Sequence, residues 1–201
     1  MIKLLTPLPK TLYVACSGGV DSMAALDFLR RKHNVTAAFF DHGTTASIES
    51  LTFLKRYCSK NNIKLVDGAV MRSKKKDESE EEYWRNERYT WFETLDHAVV
   101  TAHHLNDAVE TWVWSSMHGQ PKLPKIVRNN IARPFLSTPK QELVDWCIKH
   151  NVPWYDDMSN LNTKYMRNYV RHVVMPVIQK INPGIQKTIK KKLLNKLDSV
   201  Y

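Results

Sequence analysis

The chain has 201 residues, 43% of them hydrophobic, so it can bury the core of one ordinary domain but is too short for two. Its formal net charge of +10 favours a polyanionic partner, with nucleic acid ahead of a membrane because no long apolar segment is present. Three widely spaced cysteines argue against a disulfide scaffold, a zinc module and a cysteine-held cluster, and with no export signal they predict a cytoplasmic protein.

Short apolar runs alternate with helix-period stretches through the first half of the chain. The predicted strands are 11–17, 34–40, 63–70 and 97–102, and the predicted helices are 21–32, 46–61, 80–95 and 104–117. Strands separated by helices predict an α/β fold, an open doubly wound parallel sheet covered on both faces. In such sheets ligands bind beyond the carboxyl ends of the strands.

Irregular segments separate the later elements. Residues 72–80 carry many charges of both signs and no apolar anchor, which predicts an exposed, mobile loop. Prolines interrupt the pattern over 119–137, after which Thr138 is the predicted N-cap of a helix with Pro139 in its first turn.

Positive charge is concentrated at the end of the chain. Nine Lys or Arg and no acidic residue lie between Lys164 and Lys196. We expect one domain over 1–181 and a basic helical tail over 182–201, whose apolar residues recur every four positions and can dock one face. The alternative for this tail is a terminal helix that only aids solubility.

The stretch SGGVDS follows the first predicted strand and opens the first predicted helix. It matches neither a nucleophile elbow, a dinucleotide fingerprint nor a Walker A loop. The glycines allow inward-pointing N–H groups, and the helix start adds partial positive charge for a phosphate. Asp21 would repel a bare phosphate, so its presence suggests an intervening Mg²⁺. The candidate ATP ligands here are Ser17, Gly18, Gly19, Val20, Asp21 and Ser22; an ordinary capped turn is the alternative.

Two later groups of residues carry further chemistry. His103, Asp107 and Glu110 are spaced i, i+4 and i+7, so they would lie on one helical face. The histidine could contact the nucleotide or transfer a proton, and the two carboxylates could bind Mg²⁺ or an ammonium group. The alternative is acidic residues that favour the helix dipole. Arg167 and Arg171 form an i, i+4 pair suited to phosphates or to a stacked base, or simply lie on a surface helix.

The glycine loop resembles the SGGxDS signature of the PP-loop ATP pyrophosphatases, and the order of all the motifs resembles the tRNA(Ile)-lysidine synthetase family over residues 11 to about 176. The later motifs are matched by Asp41, His42 and Gly43; by Glu81, Arg85, Arg88 and Tyr89; by His103, His104, Asp107, Glu110 and Thr111; by Arg133 and Pro134; and by Asp157, Ser159, Asn160, Arg167, Asn168, Arg171 and His172. The chain departs from the family pattern at Thr44 and Thr45 and at Asn106, which stands where the family has an aspartate.

The resemblance implies an ATP-dependent carbon–nitrogen ligase that adenylates the wobble cytidine of tRNA(Ile) with a CAU anticodon and then joins free lysine to it. It implies catalytic roles for Asp21, Asp107, Glu110 and Arg167, Mg²⁺ on Asp21, ATP contacts from His42 and His103 besides the loop, and lysine contacts from Asp107 and Glu110. The implied tRNA contacts are Arg85, Arg88, Arg171 and His172, and we expect the tail residues Lys187, Lys190 and Lys191 to meet the phosphate backbone as well. We expect a short form without the family's usual C-terminal domains, with the basic tail in their place.

Two other functions stay open at this point. A PP-loop tRNA thiolase would use a cysteine pair or a cysteine-bound cluster, which three isolated cysteines do not offer. A non-catalytic tRNA- or nucleotide-binding module derived from the family is the second alternative. A homodimer that enlarges the tRNA surface is a further option that the sequence leaves open.

Overall fold

The computed structural model describes residues 2–156 and 162–198. Its strands are β1 (Thr11–Ala15), β2 (Asn34–Asp41), β3 (Lys64–Ala69), β4 (Val99–Val100), β5 (Val127–Arg128) and β6 (Ile131–Ala132). Its helices are α1 (Val20–Arg30), α2 (Thr45–Lys60), α3 (Glu80–Glu93), α4 (Leu105–Met117), α5 (Lys140–Lys149), α6 (Met166–Tyr169), α7 (Met175–Ile181) and α8 (Ile185–Asp198). A π-helical stretch, Val170–Val174, joins α6 to α7.

The six strands of the described chain form one sheet in the order β3-β2-β1-β4-β6-β5. Every neighbouring pair is parallel except β5 and β6. The predicted open doubly wound α/β fold is therefore confirmed. Because the strand order runs away from β1 in both directions, the carboxyl end of β1 faces the point where ligands bind in such sheets.

Alternate residues of β1 show that both faces of the sheet are covered. Leu12 and Val14 are buried in a core with residues of α1, α2 and α5. Tyr13 and Ala15 point to the opposite face and pack against a second core that contains Tyr89 and Phe92 of α3. Packing on both faces fixes the position and the register of β1 in the sheet. The loop that follows β1 is therefore held in a fixed position.

Two local predictions around β6 were incomplete or wrong. The β5–β6 hairpin was not predicted, because strands of two residues are too short to show a period, and its turn uses Asn129 at a φ of +52°. The N-cap of α5 is Pro139 rather than Thr138. The Thr138 hydroxyl instead donates to the carbonyl oxygen of Lys3 at 3.3 Å, so it ties the segment before α5 to the N-terminal segment.

The charged segment before α3 has no regular structure, as predicted, but one arginine organises it. Arg72 donates to both carboxylate oxygens of Glu78 at 2.7 and 2.8 Å, and its Nε lies 3.0 Å from Glu87. The mobility of this segment stays a prediction.

Helix α8 docks through the apolar face that its sequence predicted. Ile185, Ile189 and Leu193 are buried in a third core that also contains Leu105 and Val109 of α4. No helix within the described ranges has the length and apolar character needed to span a membrane.

Candidate active site

The loop between β1 and α1 has its carbonyl groups bonded to the protein. The Ser50 hydroxyl donates to the carbonyl oxygen of Ser17, and the backbone N–H of Tyr155 donates to that of Gly18 at 2.9 Å. The Gly19 carbonyl oxygen accepts from the N–H of Met23 at 3.0 Å. With three successive carbonyls bonded in this way, the open side of the loop is left to N–H groups.

The two glycines serve different purposes in this loop. Gly18 has a φ of +84°, and a Cβ there would lie 2.8 Å from the Ser50 Oγ, so both conformation and space exclude a side chain. A Cβ on Gly19 would meet only the Ser17 Oγ, at 3.7 Å. The N–H groups of Gly19, Val20 and Asp21 have no partner among the described residues. They form a concave donor set at the start of α1, where an anion can bind.

The two serines of the loop are not equivalent, although the sequence assigned a phosphate contact to both. The Ser22 hydroxyl is buried, accepts from the N–H of Ser17 at 3.2 Å and donates to the Gly19 carbonyl at 2.9 Å. Ser22 therefore stabilises the conformation of the loop through hydrogen bonds within it. Ser17 is exposed, so its hydroxyl stays accessible to a ligand.

Asp21 lies at the open side of the loop with one satisfied and one unsatisfied oxygen. Its Oδ2 is 3.5 Å from His104 Nε2 and 4.0 Å from Lys140 Nζ. Its Oδ1 is buried without a hydrogen-bond partner within the described chain. An unpartnered carboxylate oxygen beside a phosphate site fits the Mg²⁺ pattern of one carboxylate plus substrate oxygens. The described residues contain no cluster of three or more ligand side chains that would enclose a metal by themselves.

Helix α4 begins at Leu105, one residue later than predicted, and this changes the role of the histidines. His104 is the N-cap: its Nδ1 accepts from the N–H of Asp107 at 3.3 Å, and the Asp107 carboxylate accepts from the N–H of His104 at 2.9 Å. His103 precedes the helix, so the expected continuous helical face from His103 to Glu110 is wrong. The His103 Nδ1 lies 2.8 Å from the Thr101 hydroxyl instead.

His104, which the sequence offered only as a residue that orients a neighbour, connects the two acidic groups. Its ring lies between Asp21 and Asp107, at 3.5 and 3.3 Å. Burial favours the neutral imidazole, but the charges of Asp107 and Asp21 outweigh it and raise the pKa of His104. The signal available in the sequence was the histidine pair itself, at the end of a strand.

Two arginines reach the carboxylates of α4 from the segment after α5. Arg167 Nη2 donates to Asp107 Oδ1 at 3.1 Å. Arg171 donates to the same oxygen at 2.9 Å and spans both oxygens of Glu110 at 2.9 and 3.0 Å. The sequence assigned these acids and arginines to different ligands, whereas the structure joins them in one acid–arginine cluster of Asp107, Glu110, Arg167 and Arg171.

Charge compensation is strong in the acid–arginine cluster. Burial opposes ionisation of Asp107, but the positive charges of His104 and Arg167 outweigh it and hold the pKa of Asp107 well below its usual range. Arg171 is 26% exposed and makes three hydrogen bonds to described residues, whereas Arg167 is 42% exposed and makes one to them. Arg167 is thus the member that can leave at the lower cost.

A second group of arginines surrounds the ring of Tyr89. The guanidinium carbons of Arg85, Arg133 and Arg88 lie 4.7, 5.5 and 5.9 Å from the ring centroid. Arg133 also donates to the Tyr89 hydroxyl at 2.8 Å. Burial lowers the pKa of Arg88 to about 10. None of the three forms an ion pair with a carboxylate in the described ranges, so this positive group favours an anionic ligand.

His42 follows β2, and its ring packs against Phe40 and Trp84 with centroids 5.2 and 5.5 Å apart. Its Nδ1 is buried and unpartnered within the described chain. Burial, assisted by the charge of Arg88, lowers the pKa of His42 to about 4, so the imidazole is neutral at pH 7. A neutral imidazole that packs against aromatic rings provides an apolar surface suited to a nucleobase.

We expect His42→Gln to make the fold more resistant to acid. In the unfolded chain the imidazole titrates near its ordinary value of about 6.5, so stability is lost as pH falls from there through the folded pKa of about 4. Removing the group removes that loss. Circular dichroism against pH checks this, with the exposed His97→Gln as control; equal acid midpoints for wild type and His42→Gln would contradict it.

The remaining predicted residues lie on later elements of the chain or outside the described residues. His172 is an exposed residue of the π-helical stretch, and Lys187, Lys190 and Lys191 lie on α8. Asp157, Ser159 and Asn160 fall outside the described residues.

The sequence of the chain is similar to a protein family and to several curated proteins. A family profile described as a PP-loop domain matches residues 3–178. The chain is 34% identical over 196 residues to a tRNA(Ile)-lysidine synthase of Thermotoga maritima, covering 88% of this chain and 47% of that one. It is 32% identical over 193 residues to the tRNA(Ile)-lysidine synthase of Legionella pneumophila strain Paris, covering 88% and 44%.

Among solved structures, the chain aligns with an NH3-dependent NAD synthetase from Campylobacter jejuni at 13% identity and a TM-score of 0.49, over 96% of this chain and 87% of that one. The chain spans about half the length of the curated relatives it matches. It belongs to the PP-loop domain family, and the curated relatives that it resembles are tRNA(Ile)-lysidine synthases.

Proposed function

We propose that this chain is an ATP-dependent ligase that forms lysidine at the wobble cytidine of tRNA(Ile) with a CAU anticodon. The observation that carries the proposal is the contact path from the phosphate loop to the acid–arginine cluster. Asp21 of the loop contacts His104, and His104 contacts Asp107 of the cluster. An ATP-cleaving site and a site for a cationic nucleophile are therefore adjacent, as a two-step adenylation and ligation requires.

In the first step the cytidine 2-oxygen attacks the α-phosphorus of ATP, and pyrophosphate leaves. The N–H groups of Gly19, Val20 and Asp21 donate to phosphate oxygens, and the start of α1 adds positive potential where charge develops. Asp21 is the residue that would hold Mg²⁺, which offsets pyrophosphate charge when bound.

In the second step the lysine ε-amine attacks the activated 2-carbon and AMP leaves. Each Glu110 oxygen accepts one hydrogen bond from Arg171, and a carboxylate oxygen can accept two, so Glu110 can bind the lysine ammonium without losing Arg171. Glu110 also accepts the proton that the ammonium must lose before it attacks.

Arg167 and Arg171 have different roles in the proposed reaction. Arg167, with a single hydrogen bond to Asp107, turns to the α-phosphate when ATP binds. Arg171 stays bonded to both acids and keeps their oxygens oriented. The arginines around Tyr89 hold the phosphates next to a cytidine that has left its stack, because chemistry on a base edge requires the base to be extruded.

Incubation with ATP, Mg²⁺, labelled lysine and tRNA(Ile) with the CAU anticodon tests the proposal. The expected result is label in the tRNA and one AMP per lysine, with no label in the same tRNA carrying a guanosine at the wobble position. ATP and tRNA binding without AMP release would favour the non-catalytic module and contradict the ligase.

The thiolase alternative is disfavoured by the state of the cysteines. Cys16, Cys58 and Cys147 are buried, and burial raises the pKa of all three thiols, to about 11 for Cys58 and about 12 for Cys147. A sulfur carrier needs an accessible thiolate. Replacing all three by serine or alanine in a folded variant should leave lysine transfer intact.

The basic tail is proposed as a tRNA contact through Lys187, Lys190 and Lys191. We expect their joint replacement by glutamine to weaken tRNA binding and to make its log–log salt dependence shallower by about 0.7 to 0.9 per lost phosphate contact. Filter binding across a salt series checks this. The control is glutamine at Lys74, Lys75 and Lys76, an equal charge change; equal salt slopes for both triple variants would contradict the role. Deleting the tail is a poor test, because its apolar face is buried against α4.

A further inference from the structure

Lys140 carries a positive charge next to the phosphate loop and takes no part in the reaction steps described above. It is the first residue of α5, and its Nζ lies 4.0 Å from Asp21 Oδ2. Among the described lysines and arginines it is the one that forms an ion pair with Asp21. Its side chain is 39% exposed, so the ammonium group can turn toward the open side of the loop.

The backbone that carries Lys140 is fixed to the start of α4. The N–H of Lys140 donates to Asn106 Oδ1 at 3.0 Å, and the N–H of Leu105 donates to the carbonyl oxygen of Thr138 at 2.8 Å. Asn106 thereby supplies the cap that Pro139 cannot give to α5. The two hydrogen bonds fix the backbone of Lys140 relative to α4, where Asp107 of the acid–arginine cluster directly follows Asn106.

Charge balance at the loop shows what Lys140 can do. A triphosphate brings several negative charges to a site that already contains the Asp21 carboxylate, and the loop N–H groups offer only partial positive charges. When the bond between the α-phosphorus and the bridging oxygen breaks, that oxygen keeps the electron pair. An ammonium group that reaches this oxygen stabilises the leaving group more than it stabilises bound ATP.

We propose that Lys140 binds the β- and γ-phosphates of ATP and stabilises the leaving pyrophosphate, a role that rests on the proposed cleavage of ATP. Asp21 is its partner within the described chain, and phosphate oxygens replace Asp21 when ATP binds. Asn106 is a positioning residue for Lys140.

Binding of inorganic pyrophosphate with Mg²⁺, measured by calorimetry, tests Lys140 directly. We expect Lys140→Met to weaken pyrophosphate binding roughly 10-fold to 100-fold and to leave AMP binding unchanged. Lys140→Arg should restore part of the pyrophosphate affinity. Lys149→Met, an exposed lysine in the last turn of the same helix, is the matched control and should behave as wild type.

The rate of AMP formation from ATP, tRNA and lysine, under saturating ATP, should also fall in Lys140→Met. Unchanged pyrophosphate binding in a folded Lys140→Met variant would overturn the proposal. This holds even if the melting temperature of the variant falls, because Lys140 would then act only as a structural counter-ion. If the wild type formed no lysidine but lost pyrophosphate binding on Lys140→Met, the proposed tRNA reaction would fail and the Lys140 site would stand.

Discussion

Replacing Asp21 by asparagine is expected to lower the rate of AMP release by roughly 100-fold to 1,000-fold, the range for losing one preorganised electrostatic group at a reacting centre. The amide keeps the size of the carboxylate but removes the charge that would hold Mg²⁺ and that faces both His104 and Lys140. AMP production measured by chromatography at saturating ATP checks the rate.

The control for this variant is Asp145→Asn, an exposed carboxylate of α5 bonded only to Gln141 among the described residues. It should release AMP as wild type does. The Asp21→Asn variant should also lower the pKa of His104, because one of the two carboxylates that raise it loses its charge. Full AMP release by a folded Asp21→Asn variant would contradict the assignment of the loop as an ATP site.

Arg171→Ala is expected to destabilise the fold by about 3 to 5 kcal/mol, because it leaves buried carboxylates without their main partner. The Glu110 and Asp107 side chains are only 8% and 9% exposed, and Arg171 makes three hydrogen bonds to them. Urea denaturation followed by tryptophan fluorescence gives the free energy of unfolding. Lysine transfer should be lost with it, since the acids are no longer oriented.

A double-mutant cycle separates this explanation from a general packing defect. Glu110→Gln removes the charge that Arg171→Ala orphans, so the double variant should lose less stability than the sum of the two single variants, by about 1 to 3 kcal/mol. Arg167→Ala, with one hydrogen bond and 42% exposure, should cost within about 1 kcal/mol. Strict additivity of Arg171 and Glu110 would contradict the cluster as a coupled unit.

The sequence predicted the strands and helices around the loop well, because each carries either a continuous apolar run or a clear helical period. It failed for β5 and β6, where two residues contain no period, and at Thr138, where a distant carbonyl group from Lys3 competes for the hydroxyl. Tertiary contacts of this kind cannot be derived from local spacing.

The contacts within the site were likewise predictable from the sequence only in part. The meeting of Asp21 with His104 follows from parallel strands ending at one edge, and the motif order could indicate it. The pairing of Arg171 with Glu110, 61 positions earlier, depends on how the segment after α5 returns across α4. The spacing in the sequence predicted one ligand for the two acids and a different ligand for the two arginines. Only the folded structure shows that the acids and the arginines bind one another.

The three buried thiols have a practical consequence. Cys16 lies beneath the phosphate loop, Cys58 in α2 and Cys147 in α5, and each is shielded from water with its pKa raised. An alkylating reagent reacts with a thiolate that solvent reaches, so each cysteine is modified only while the element around it is transiently open. The rates of modification at the three sites therefore rank the local opening of these elements in the native protein, and a nucleotide that steadies the loop would slow Cys16 most.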